Sequence, residues 1–149
     1  GVFSGIDYDT RNMDVAAMSE GTANCLRGGP NPESTAQLLS AAGWVDAGTE
    51  TGSAGAMRVF TKNNVRGLIL PQGHCSFRSE FANLEPSDTA IRNLVNSLYP
   101  GSIRNGAPDG TTGRCDGFTL PRPDAWVHYT SPAGGTCRDF GTGVTIQFL

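Results

Sequence analysis

The residues of this 149-residue chain best suited to chemistry are four cysteines and two histidines: Cys25, Cys75, Cys115, Cys137, His74 and His128. The cysteines are even in number, widely spaced and lack a C-x-x-C pair. Zinc sites use close ligand pairs, and the one close Cys/His pair is His74-Cys75. Neighbours on a strand point to opposite faces, so that pair is poorly placed to share an ion. Two disulfides, and with them an oxidising compartment, are the expectation. Four cysteines allow three pairings. Cys25 falls on the apolar face of a helix and Cys75 opens a strand, so a Cys25–Cys75 bridge would staple helix to sheet. Cys115–Cys137 would then close about 22 residues and contribute about 3 kcal/mol through the unfolded state. The competing reading is buried free thiols, under which Cys25 with His74 or His128 is a candidate nucleophile and base.

Other constellations are weaker. Thr51-Gly52-Ser53-Ala54-Gly55, followed by Asp124 and His128, has the Ser–Asp–His chain order of a nucleophile elbow. That elbow needs a strand before the serine and a helix after it, whereas Ser53 lies in a polar loop that precedes a strand. The 14 acidic residues are spread thinly. Asp46 with Glu50, and Glu80 with Glu85, flank connections and could supply a carboxylate pair for glycoside hydrolysis. Helix caps and solvated faces account for most of them. Asp7-Tyr8-Asp9 starts like a calcium loop, but Arg11, Asn12 and Met18 stand where that loop needs oxygen ligands and glycine. Phosphate-cradling glycine motifs are missing, so no nucleotide or other cofactor is expected.

What remains is recognition. Trp126, His128 and Tyr129, beside Pro121-Arg122-Pro123, concentrate the residue types that dominate binding hot spots. Strand alternation puts Trp126 and His128 on one face and Val127 and Tyr129 on the other. The candidate ligand- or partner-binding residues are therefore Trp126, His128, Tyr129, Arg122 and, as the second histidine, His74. The two histidines are the groups that would make affinity vary between about pH 5 and pH 7.

These side chains must be positioned by recognisable elements. Residues 1–12 read as a polar, flexible N-terminal segment. A helix is predicted from Met13 to Leu26, with Val15, Met18, Thr22, Cys25 and Leu26 at helical spacing. Asn31 as cap, Pro32 as first residue and Gly43 as stop predict a second helix, and the apolar pair Trp44-Val45 should lock it to the core. Asp46 to Gly55 reads as a flexible polar loop. Residues 56–81 alternate with period two and read as an antiparallel meander, turning at Asn63-Asn64 and Pro71-Gln72-Gly73. Ile91, Leu94, Val95 and Leu98 mark a third helix, capped by Ser87 and stopped by Pro100-Gly101. Three short strands follow at 118–120, 125–129 and 144–149, with Pro121 and Pro123 confined to an edge or a bend.

Strands that come in runs predict an α+β fold: one domain over residues 1–149, order ααβββαβββ, with helices packed on one face of an antiparallel sheet. The chain is 38% hydrophobic and 17% charged, which excludes a disordered protein. Its net charge of −3 argues against a nucleic-acid partner. No apolar run reaches the length of a membrane span. Lys62 is the single lysine among 11 basic residues, and no N-x-S/T sequon occurs; both features suggest a bacterial source. The expectation is a secreted or periplasmic bacterial binding module for a protein or small ligand, of inhibitor or immunity type. The alternative is a small hydrolase acting on cell-wall glycan or peptide. Ligand identity and oligomeric state are left open.

Overall fold

Nothing stops a helix between the N-terminus and the glycine pair at residues 28–29. In the computed structural model, which describes residues 2–149 with side chains from Asp9 onward, helix α1 accordingly spans Val2–Gly28. The flexible segment expected over residues 1–12 is therefore helical from Val2, and Gly1 lies outside the described residues. Asp9 and Arg11–Met13 are exposed, so these positions carry none of the buried apolar spacing that marks a helix in sequence. Asp7 and Tyr8 of the calcium-loop comparison have side chains outside the described residues.

Helix α2 spans Pro32–Ala41 as expected: the Asn31 side chain accepts hydrogen bonds from the backbone N–H groups of Glu33 and Ser34. Gly43, at φ +89°, turns the chain out of the helix, a conformation that favours glycine. Trp44 is buried, and its indole N–H donates to Glu20 at 2.7 Å. Val45, its expected companion in the core, is instead 63% exposed.

Eight strands follow: β1 Val45–Gly52, β2 Gly55–Lys62, β3 Val65–Ile69, β4 Cys75–Ser79, then, after helix α3 (Leu84–Leu98), β5 Arg104–Asn105, β6 Phe118–Pro121, β7 Asp124–Thr130 and β8 Thr142–Phe148. They form one antiparallel sheet in the order β1-β2-β3-β4-β8-β7-β6-β5. Each half of the sheet is a helix followed by a four-stranded meander, and the last strands of the two halves, β4 and β8, pair at the centre. The mixed α+β class and the meander over 56–81 are as the sequence implied. The loop expected at 46–55 is instead strand β1 and its hairpin turn. β1 is an edge strand exposed nearly throughout, so it has no alternating apolar face to read. Its register slips between Asp46 and Thr49, a bulge that blunts the open edge. Strand β5, two residues long, leaves no periodic trace either. Helix α3 begins at Leu84 with Asn83 at the cap position. Ser87, the expected cap, lies one turn inside and is buried.

Helix α1 rests on β3, β4 and β8, with α2 and α3 packed beside it. The Phe77 ring on β4 fits between Gly21 of α1 and Gly67 of β3; a Cβ at these glycines would sit 2.6 and 2.7 Å from it. Trp44 meets the same ring edge-on at 5.4 Å. Asp14, fully buried on α1, accepts hydrogen bonds from the Ser79 hydroxyl at 2.5 Å and the Asn64 backbone N–H at 3.1 Å. A buried polar group without partners is costly, so these bonds fix α1 against β4 and the β2–β3 turn. Both expected bridges are present. Cys25–Cys75 joins α1 to β4, Cys115–Cys137 joins two loops, and no cysteine is free.

Candidate functional site

The N-terminal half of α3 presents Leu84, Glu85, Asp88 and Arg92 to a cleft of about 540 Å³. The opposite wall is mainly loop: Asn105 ends β5, Thr112–Arg114 come from the connection between β5 and β6, and Asp139 from the connection between β7 and β8. The two loops are tied to each other by the Cys115–Cys137 bond and by an Arg114–Asp139 ion pair at 2.6 Å. A hydrogen bond from the Leu84 N–H to the Asp139 carbonyl, at 3.2 Å, ties them to α3.

A polar network sets the floor. Tyr129, buried on the inner face of β7, donates its hydroxyl to Asp88 at 2.6 Å. Arg92 donates its Nε to both Asp88 oxygens, at 2.9 and 3.0 Å. It donates Nη2 to the Asn105 side chain and the Gly117 carbonyl, and its guanidinium lies 5.1 Å over the Phe118 ring. Burial, reinforced by the negative charge of Asp88, pushes the Tyr129 phenol well above its ordinary range. It therefore acts as a neutral donor. Asp88 and Asp139 each face an arginine, which leaves Glu85, in the first turn of α3, with no cation within ion-pair reach among the described residues.

The residues singled out in sequence are not gathered at one place. Tyr129 reaches this cleft through Asp88. Trp126 and His128 lie on the opposite face of the sheet with their rings stacked 3.9 Å apart, and the Trp126 indole N–H donates to the Asp116 carbonyl at 2.7 Å. Arg122 is exposed in the turn between β6 and β7. His74, in the turn between β3 and β4, accepts the Phe148 backbone N–H at Nδ1, at 3.0 Å. Sequence reasoning did not assemble Asp88, Arg92, Arg114 and Asp139. The Asp88/Arg92 spacing of four residues was visible as a helix pair, but its meeting with Tyr129, 41 positions away, was not.

Several catalytic readings lose their geometry. The bridge at Cys25 leaves no thiolate to attack a substrate. Ser53 sits in the β1–β2 turn and His128 on β7, at least four strands away, about 20 Å at the usual strand spacing. Asp46, Glu50 and Glu80 are engaged with Arg58, Arg66 and Arg138. Comparison of the chain with protein-family models, curated proteins and solved structures finds no match, so the functional reading stands on geometry and chemistry.

His128 makes a pH dependence testable. Burial pushes its imidazole below the ordinary 6.5, with the Asp116 charge acting in opposition, and its Nε2 is buried without a partner among the described residues. The unfolded chain therefore binds the proton at higher pH than the folded one. Its contribution to stability is intact above the ordinary value and falls as the pH drops through it toward the depressed one. Thermal melts between about pH 7.5 and 5.5 are expected to fall more steeply for the wild type than for His128→Gln. Parallel curves would show that the buried imidazole is not the cause.

Proposed function

We propose that this domain is an extracytoplasmic bacterial recognition module that binds a small polar ligand carrying a cationic group in the cleft between α3 and the two bridged loops. One observation carries the reading: the cleft is polar, of ligand size, and walled by loops that a disulfide holds in place. Cavities of roughly 300–1,000 Å³ with a few fixed polar groups are the usual form of small-molecule sites. Pre-organised walls lower the ordering cost of binding. The disulfides favour an oxidising compartment, and no described helix is long and apolar enough to cross a membrane.

The charge pattern selects the ligand. Two acids and two arginines of the cleft neutralise each other in pairs, and Glu85 remains to be matched by a positive group brought from outside. The same pattern disfavours the hydrolase alternative. Asp88 and Asp139 already accept from Arg92, Tyr129 and Arg114, so Glu85 is the one cleft carboxylate with both oxygens available. Glycoside hydrolysis needs two carboxylates working together.

The test is an amide-resonance titration with arginine amide and glucosamine as cationic probes and N-acetylglucosamine as the neutral one. The cationic probes are expected to shift the amides of Glu85, Asn105 and Thr112–Arg114, and Glu85→Gln to weaken them about tenfold, or roughly 1.4 kcal/mol. Shifts scattered away from the cleft, or equal affinity in Glu85→Gln, would overturn the reading.

A further inference from the structure

The two disulfides occupy contrasting surroundings. Cys25 and Cys75 are both 0% exposed, one on α1 and the other on β4, in the layer where helix meets sheet. A thiolate must reach a sulfur to exchange with it, so access governs the rate. Access to this bond requires α1 to leave the sheet. Cys115 is partly exposed and Cys137 is 6% exposed, and both sit in loop rather than in helix or strand. Cys137 packs with the hydrophobic core, so the approach to this bond runs through Cys115, which no helix or strand covers completely.

We infer that the Cys115–Cys137 bond is a thiol–disulfide exchange site, a latch whose reduction by an external dithiol loosens the cleft walls while Cys25–Cys75 keeps the fold. As regulation of ligand binding, this rests on the cleft being the ligand seat; as chemistry, it stands on the burial contrast. One thiolate of the dithiol attacks a sulfur of the bridge, forming a mixed disulfide and releasing the other cysteine as a thiolate. The second thiol of the reductant resolves the mixed disulfide. Two electrons and two protons end on Cys115 and Cys137, and the reductant leaves as its own disulfide. Little then holds the loops together. The Arg114–Asp139 pair has side chains 58% and 66% exposed, and pairs of that kind are weak in water. Cys115 stays anchored by its carbonyl, which accepts the Tyr129 N–H at 2.9 Å. Asp139 keeps its carbonyl bond from the Leu84 N–H, so the freedom gained is greatest around Thr112–Arg114 and in the part of the β7–β8 connection before Asp139.

The experiment is a stepwise titration of the whole chain with a dithiol, quenched by alkylation and read by peptide mass, with backbone hydrogen exchange on the same samples. The latch predicts a range of reductant in which Cys115 and Cys137 are labelled and Cys25 and Cys75 are not. In that range, exchange in residues 106–117 and 131–141 rises about tenfold or more while β3, β4 and β8 keep their protection. Cys115→Ser/Cys137→Ser should show the same fast loops without reductant and no further response to it. Labelling of all four cysteines together, or loops whose exchange is unchanged once the bond is cut, overturns the latch. Oxidised protein that binds neither cationic probe, with loops that still loosen on reduction, overturns the ligand seat and upholds the latch.

Discussion

Replacing Cys25 and Cys75 together by alanine is expected to lower the unfolding free energy by about 4 kcal/mol, the largest loss among the changes considered. The bridge spans a sequence separation of 50, against 22 for Cys115–Cys137, so it removes more entropy from the unfolded chain. Its sulfurs also fill the contact between α1 and β4, and alanines would leave a void there that neighbours such as Phe77, already held between two glycines, are badly placed to fill. Both effects act in the same direction. Urea unfolding monitored by far-UV circular dichroism tests this, with a steeper denaturant dependence expected because the unfolded chain is freer to expand. The Cys115→Ser/Cys137→Ser variant serves as the comparison, with an expected loss of about 3 kcal/mol. If the loop variant proves the less stable of the two, the view that the inner bridge carries the fold is wrong.

Asp88→Ala should cost about 2–3 kcal/mol, although Asp88 itself is only partly buried. The residue accepts the Tyr129 hydroxyl and a bidentate contact from Arg92, and its loss strands both donors. The hydroxyl accounts for most of the cost, since it loses its charged acceptor at a buried position. Asp88→Asn keeps an acceptor for Tyr129 and should recover roughly half of the loss. Tyr129→Phe removes the stranded donor, so the double change Tyr129→Phe/Asp88→Ala should cost clearly less than the sum of the two single changes. Strict additivity in that double-mutant cycle would show that the 2.6 Å contact does not couple the two residues. In the same variants the cleft should lose definition, because Arg92 holds Asn105 and the Gly117 carbonyl only while Asp88 orients its guanidinium. Chemical shifts of the Asn105 and Gly117 amides report this directly.

Much of the architecture was legible where one local cause decides the outcome. Asn31-Pro32 at a helix start and Gly43 at its stop act within a few residues, and α2 forms where they direct. The apolar and β-branched runs in 56–62 and 65–69 form β2 and β3 where expected, although their burial does not alternate strictly: Val59 with Phe60, and Gly67 to Ile69, are buried in succession. The elements that went unread share one property: burial does not shape their residues. β1 lies almost wholly in solvent, Asp9 and Arg11–Met13 of α1 are exposed, and β5 is too short to have a period.

The sequence alone determined the α+β class, the antiparallel pairing and the disulfide chemistry, because these depend on residue type, local spacing and the parity of cysteines. It also located aromatic and histidine residues on β7. Tertiary structure decided which of them share a site. Alternation along β7 already separated Trp126 and His128 from Tyr129; the packing decided that the Tyr129 face is the one buried, where its hydroxyl meets Asp88 of α3. The cleft is built from α3 and two loops that meet only because β4 and β8 pair and a disulfide closes across the connections. Its electrostatics depend on distances between side chains up to 41 positions apart. No local pattern encodes such distances, since Coulomb energy and hydrogen bonding follow separation in space rather than along the chain.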